Sequence, residues 1–364
     1  MELQKIQLRN GTAPKYLQIK EFIFEQIKKN NFREGEPIPS ENVLAKNFYV
    51  TAVTASRALN ELVNEGLLYR VRGKGTFVRD VYQEHPPVCL FSTGNPQADS
   101  SDPYFSTPLF ASLASKLAEN GLSLTVKYIE NRRPLDLPAK DLKSGIAIIP
   151  ALNFPDRISE ATIRTTQIPI INIGAHPEEP FDCISFNNKK GMAQAVKHLA
   201  ELGHTKIAFF SATKENISNK ERLDEYISSI EKNGLVKKGS FIFPGYYGKE
   251  SGCQSARALL KMKKRPTAVI CSSDVIAVGA IEIFKEAGLR IPDDISIVGF
   301  GDYEIASYID PRLTTVKLPV KEMGEKLADL VLRRINSPKF MEPERIAIST
   351  KLVVRKSTEI PAKN

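Results

Sequence analysis

From Val88 onward, short β-branched runs take turns with amphipathic stretches, and this alternation limits the possible folds more than any other feature. "VCLFS", "LSLTVKYI", "GIAIIP", "IPIINI", "KIAFFS", "SFIFP", "TAVICS" and "ISIVGF" are strand-like, and most are separated by helical patterns such as "TPLFASLASKLAENG", "MAQAVKHLAELGH" and "DVIAVGAIEIFKEAGL". Strands that are apolar on both faces need cover on both faces, and intervening helices supply it, so the pattern predicts parallel sheets in an α/β architecture. About 275 residues of this pattern exceed one comfortable core, so two lobes are expected. The loops at the carboxyl ends of the strands would line a cleft between them, a natural place for a small molecule.

The alternation begins abruptly. "RDVYQEHPPVCLFS" passes from charged residues through Pro86-Pro87 into the first strand. The segment before it has a different period. In "KYLQIKEFIFEQIKKN", Tyr16, Ile19, Ile23 and Ile27 share one helical face. "GEPIPSENVLAKNF" follows, with Ser40 placed to cap a short helix and Glu41 in its first turn, where the helix dipole favours an acid. "TAVTASRALNELVNEG" has Thr51 as cap and Gly66 as stop, and Ala55, Ala58, Leu59 and Leu62 make an inward face. Val53, Thr54, Ser56, Arg57 and Asn60 are left outward or sideways. "GLLYRVRGKGTFVRD" then reads as two short strands around Gly73-Lys74-Gly75.

That glycine-rich turn has two readings. A nucleotide-binding loop needs G-x-x-x-x-G-K-[ST] after a strand and opening a helix, whereas here the spacing differs and "TFV" favours a strand. A basic hairpin following two helices joined by a tight turn is the order of a winged helix-turn-helix. Its second motif helix fits the major groove, and Arg70, Arg72, Lys74 and Arg79 would neutralise phosphates. A solvated charged hairpin with no partner is the bland alternative, and the adjacent helices weigh against it.

The formal net charge of +9 leans towards an anionic partner. Cys89, Cys183, Cys253 and Cys271 lie far apart without a C-x-x-C pair, which predicts buried reduced thiols rather than disulfides or a metal site. The opening "MELQKIQLRNGTAPKY" has no signal-like apolar core and no stretch has the length of a membrane span, so a cytoplasmic protein with no membrane partner is expected.

The stretch "PKYLQIKEFI...GEPIPSENVLAKNFYVTAVTASRALNELVNEGLLYRVRGKGTFV" resembles the DNA-binding domain of the GntR family of bacterial transcription regulators, over residues 14 to 78. Its opening and wing look most like the arabinose-repressor branch. The resemblance places Lys15, Thr54, Arg57 and Arg72 at or beside DNA-contacting positions. Ala52 and Ser56 stand where the family and that branch, respectively, often have arginine. With the caps, the outward helix face and the wing, the candidate DNA-binding set is Lys15, Ser40, Thr51, Val53, Thr54, Ser56, Arg57, Arg70, Arg72, Gly73, Lys74 and Gly75.

A second resemblance lies downstream. "GMAQAVKHLAELGHTKIAFFSA", "TAVICSSDVIAVGAIEIFKEAGLRIPDDISIVGFGD", "PRLTTVKLPVKEMGEKLADLVL" and "KLVVRKST" look like the effector domain of LacI/GalR repressors, itself similar to periplasmic sugar-binding proteins. The likeness covers about residues 88 to 358 and implies two lobes with three crossovers: 88–186 plus 313–338, and 187–312 plus 339–358. It puts Tyr104, Phe105, Arg222, Asp274 and Asp302 at positions that hold sugars or related effectors. Locally, Asp274 reads equally as a helix N-cap, Asp302 as turn chemistry, Tyr104 and Phe105 as lobe core, and Arg222 as a solvated charge. Asp102 is a further polar candidate after the first strand. His204 reads as a partner of helix-terminal carbonyls.

The expected organisation is a winged helix-turn-helix over 1–79, a linker over 80–87, a two-lobed effector and dimerisation domain over 88–358, and a tail over 359–364. The expected function is a homodimeric repressor whose hold on double-stranded operator DNA is controlled by a carbohydrate effector, without cofactor, metal or catalytic chemistry. The competing classes are a cytosolic sugar-processing enzyme or carrier with an accessory nucleic-acid-binding domain, and an exported sugar carrier. No G-x-S-x-G or H-E-x-x-H motif supports an enzyme, and an exported carrier would have no use for residues 1–80.

Overall fold

The computed structural model describes residues 13–28, 31–32, 35–65, 67–78, 88–92, 103–128, 145–150, 168–174, 180–212, 217–335 and 342–362. Gly66, Arg79, the linker 80–87 and Asp102 lie outside them. The chain divides into two compact units between His85 and Pro86.

The first unit contains three helices and a hairpin: α1 (Lys15–Lys28), α2 (Glu41–Phe48), α3 (Ala52–Asn64), β1 (Leu68–Val71) and β2 (Gly75–Val78). The period seen in the sequence makes its core. Ile19, Ile23 and Ile27 of α1 meet Leu44 and Phe48 of α2 and Ala55, Ala58, Leu59 and Leu62 of α3. Ser40 and Thr51 cap α2 and α3, accepting from the Val43 and Thr54 amides. The turn between them passes through Tyr49 at φ 51°, a left-handed conformation that turns the chain sharply although it disfavours a bulky side chain. β1 and β2 pair antiparallel from Leu68↔Val78 to Val71↔Gly75, and Gly73 takes φ 75° in the turn between them. A short arm from Gly35 to Ile38 adds to β2 through bonds such as Ile38 N–H to Thr76 O at 2.9 Å.

The second unit holds two six-stranded sheets. The first lobe comprises β3 (Val88–Ser92), α4 (Pro103–Glu119), β4 (Leu124–Tyr128), β5 (Ile146–Pro150), β6 (Ile170–Ile173) and β7 (Asp182–Phe186). Then come α5 (Asn188–Glu201), β8 (Ile207–Phe210), α6 (Ile217–Lys232), β9 (Ile242–Phe243), α7 (Lys249–Leu260), β10 (Ala268–Cys271), α8 (Asp274–Glu286), β11 (Ser296–Gly301), α9 (Ile305–Tyr308) and β12 (Thr314–Lys317) of the second lobe. The chain closes with α10 (Val320–Ile335), β13 (Arg345–Ile348) and β14 (Lys351–Val353). The first sheet runs β13-β7-β6-β5-β3-β4, all parallel. The second runs β14-β12-β11-β10-β8-β9, parallel apart from β14.

This pairing moves two of the expected crossovers. Thr314–Lys317 joins the second sheet, with Val298 opposite Thr314, so the chain returns to the first lobe after Lys317 and not before Leu313. Arg345–Ile348 lies beside β7 in the first sheet, which puts the last crossing between Ile348 and Lys351. Thr314 and Thr315 are fully buried at that inner position, which their composition alone does not reveal. The start of the expected tail is held to the second lobe. Glu359 is bound at its amide by Ser296 Oγ at 3.0 Å and at its carbonyl by His204 Nε2 at 3.0 Å.

Close helix contact in the second lobe needs glycine. A Cβ on Gly252 of α7 would strike the Ile276 carbonyl, and one on Gly279 of α8 would strike that of Lys249. In the first lobe the buried pair Arg334–Asp182 fastens the end of α10 to the start of β7. Two bonds of 2.7 Å join guanidinium to carboxylate, and the Glu344 amide adds a third to Asp182 Oδ1 at 2.7 Å. Arg334→Ala would leave that carboxylate buried without its counter-charge. It should cost about 3–5 kcal/mol of unfolding free energy, read as a lowered denaturant midpoint, whereas replacing both partners with apolar residues should cost much less.

Candidate DNA interface and effector site

In the first unit the outer face of α3 and the hairpin carry the candidate contacts. Val53 is 79% exposed at the head of α3, and Lys15, Arg57, Arg70, Arg72, Gly73, Lys74 and Gly75 are exposed. Arg57 lies with its guanidinium 4.0 Å from the Tyr16 ring centroid and its Nε 3.9 Å from Glu61, which holds a long side chain along the helix face. Arg72 and Lys74 at the hairpin tip form no ion pair with another described residue. The Thr51 hydroxyl is committed to its cap and to the Thr54 hydroxyl 2.9 Å away.

Sequence alone marks Glu41 only as a first-turn acid. Its Oε1 accepts from Ser56 Oγ at 2.9 Å and from Arg70 Nη2 at 2.8 Å. One carboxylate therefore joins the heads of two helices to the hairpin. The contact with Arg70 spans 29 residues of sequence, so no local signal could have revealed it.

In the second unit, aromatic and polar groups gather where the strands end. Tyr104, near the start of α4 in the first lobe, stacks on Tyr303 in the loop after β11 of the second, with centroids 5.4 Å apart and planes at 18°. Phe105 meets Phe186 edge-on at 6.2 Å and is half-buried against the core, whereas Tyr104 is 41% exposed. Arg222 reaches from α6 across the ends of the second sheet. Its Nε donates to Asn188 Oδ1 at 3.0 Å, its Nη1 to the Ser272 carbonyl at 2.6 Å, and its plane lies 4.0 Å from the Phe300 centroid. It is a fixed, half-buried cation and not a solvated one.

The two candidate aspartates sit differently. Ser273, not Asp274, caps α8 by accepting from the Val275 amide. Asp274 is fully buried, accepting from Thr315 Oγ1 at 2.5 Å and from the Tyr303 amide at 2.8 Å. Asp302 takes φ 55°, and its Oδ1 receives Arg355 Nη2 at 2.5 Å. Neither carboxylate is presented openly to the space between the lobes in this conformation. Asp274 instead fixes the backbone of Tyr303, and Asp302 ties the same loop to the segment after β14. His204 also differs from expectation: its ring bonds Thr267, Ser296 and the Glu359 carbonyl. Among the described residues no cluster of His, Cys, Asp and Glu is arranged to hold a metal, and no helix is long and apolar enough to cross a membrane.

Residues 15–78 match bacterial regulatory proteins of the gntR family, and residues 196–358 match the periplasmic binding protein-like domain. The chain is 32% identical to the HTH-type transcriptional repressor PurR of Photobacterium profundum, over 64% of its own length and 69% of that protein. The chain is a transcriptional regulator with a gntR-family DNA-binding domain and a LacI-like periplasmic-binding-protein domain. Along nearly its whole length, 97% of this chain and 100% of the other, it is 29% identical to the arabinose metabolism transcriptional repressor of Geobacillus stearothermophilus. In fold it is similar to a LacI family regulator from Enterococcus faecium with bound ribose: TM-score 0.64 and 24% identity, covering 75% of this chain and 99% of that one. The gntR-type regulator thus joins a winged helix-turn-helix to a two-lobed domain, as the two resemblances implied.

Burial pushes the Asp274 carboxyl up to about 6, while its two hydrogen bonds pull the other way. A raised carboxyl favours folding in its protonated form, so its contribution is complete below the ordinary value of 3.8 and is lost as pH rises through about 6. Asp274→Asn removes that titration. Its melting temperature relative to the parent chain should therefore rise between about pH 4.5 and about pH 7.5, by the equivalent of about 2 kcal/mol. A pH-independent difference would mean that Asp274 does not titrate in this window.

Proposed function

We propose that this regulator is a cytoplasmic, homodimeric repressor whose grip on operator DNA is set by a small carbohydrate between the lobes. The observation that carries the DNA half is the open face of α3, which bears Arg57, together with the exposed cations Arg72 and Lys74 of the hairpin. In this reading α3 enters the major groove, Thr54, Ser56 and Arg57 meet the base edges or nearby phosphates, and the wing rests on the backbone. Lys15 and the capped starts of α2 and α3, at Ser40 and Thr51, adjoin phosphates, where helix N-termini favour anions. The glycines at 73 and 75 let the turn approach closely. A two-fold dimer would read a pseudo-palindromic operator.

For the effector, Tyr104, Phe105 and Arg222 form the reading head, with rings to stack on a sugar face and a guanidinium to donate to its hydroxyls. Asp274 and Asp302 act one step back, by holding Tyr303 and its loop in place. The names of the arabinose repressor and of the ribose-bound regulator support a sugar. Lobe closure around it would couple ligand and operator affinities reciprocally.

Two measurements test the two halves. Arg72→Ala and Lys74→Ala should each lower the slope of log affinity against log salt for duplex DNA by about one, without changing the melting temperature. An unchanged slope in both removes the wing from the interface. Thermal melts against a panel of pentoses and hexoses should identify a stabilising sugar, worth about 2.7 kcal/mol at a hundredfold excess over its Kd. Tyr104→Ala and Arg222→Ala should abolish that stabilisation while leaving duplex binding without ligand intact. Retained stabilisation in both would put the effector elsewhere.

A further inference from the structure

The gntR-type DNA-binding unit does not account for the charge of the chain. Most of the +9 excess lies beyond His85, in the lobed unit. Part of it is concentrated at one place. The run "KMKKRP" between α7 and β10 presents Lys261, Lys263, Lys264 and Arg265, all exposed and with no acid among them. Two hydrogen bonds bring further cations beside it. The Thr267 amide bonds the Lys206 carbonyl at 3.2 Å, and the Val236 amide bonds the Thr205 carbonyl at 3.0 Å. The loops leading into β8, β9 and β10 therefore lie side by side at the amino-terminal end of the second sheet. Lys206, Lys237 and Lys238 join the run there. This is the opposite end of the strands from Ser272 and Tyr303.

The acids at this end do not cancel the excess. Glu231 pairs with Lys237. Asp293 and Asp294 are engaged by Arg290 at 3.2 Å each, and the charge of Arg265 adds to the forces that keep the Asp294 carboxyl low. Lys206, Lys261, Lys263, Lys264 and Arg265 form no ion pair with a described residue. The α7 carboxyl terminus, whose dipole end is negative, sits directly before Lys261 and favours this concentration of positive charge.

We propose that this basic end of the second lobe holds the phosphate backbone of duplex DNA without regard to sequence, as a contact separate from the winged helix-turn-helix. The composition selects phosphate over a protein surface. Protein–protein interfaces are poor in lysine and rich in aromatic residues, whereas here lysine dominates and the Phe241 ring beside it is buried. Flexible ammonium groups are suited to phosphates as point charges, which supply affinity but no sequence preference. Such a contact would raise the residence of the regulator on DNA of any sequence and let one molecule hold two segments.

The test uses the full chain and a random-sequence duplex about three helical turns long. Lys261→Gln, Lys263→Gln, Lys264→Gln and Arg265→Gln are combined in one variant. A second variant replaces the three lysines with arginine. A third carries Arg72→Ala with Lys74→Ala, and a fourth joins the glutamine set to those wing changes. The glutamine variant should lower the salt slope for this duplex by about 2–4 and weaken binding at least tenfold at low salt. The arginine variant should bind like the parent chain. The wing variant should lose its own share, and the losses should add in the fourth protein. An unchanged slope in the glutamine variant overturns the proposal while leaving the wing result, and with it the regulator reading, to stand. Binding of poly-glutamate that the glutamine variant loses, with duplex binding retained, overturns it in favour of an acidic protein partner.

Discussion

Much of the effector half hangs on a single carboxylate with no access to water. Asp274 starts α8, receives the Thr315 hydroxyl from β12 and receives the amide of Tyr303 from the loop after β11. Three elements distant in sequence are tied at one side chain. The last of them presents the ring that meets Tyr104 from the other lobe. A buried ionisable group is costly unless it is bonded, so its presence here marks a place where geometry is held tightly. What it holds in this structure is the loop after β11.

The DNA-binding half uses the same device at its surface. Glu41 collects Ser56 from α3 and Arg70 from the hairpin, so helix and wing keep a fixed spacing. The proposed roles at DNA call for such a spacing, because helix and wing must then reach features of one duplex together. Being exposed, this junction is weaker than that at Asp274, and salt would screen it.

Local physics made part of this legible beforehand. Ile19, Ile23 and Ile27 declared a helix face, Ser40 and Thr51 declared caps, and Gly73 and Gly75 declared a hairpin turn, since each signal lies within a few residues of its effect. The parallel lobes followed from strands without polar alternation. What escaped depended on distant partners. Thr314–Lys317 reads as a β run, but which sheet takes it is decided by β11. Asp274 reads locally as a cap, and its actual partner Thr315 lies 41 residues away. Arg334 and Asp182 meet across 152 residues. Arg222 reads as a surface charge until Asn188, Ser272 and Phe300 are placed around it.

Gly301 sets a boundary on how this architecture can diversify. It takes φ 142°, and the Tyr303 ring lies so close over it that an added Cβ would meet ring atoms at 2.9 Å, well inside van der Waals contact. The position can carry no side chain while Tyr303 keeps its place. Descendants of this gene, or a designer working from it, cannot vary that position one residue at a time. A change at 301 has to come with a change at 303, which would also disturb the seam between the lobes.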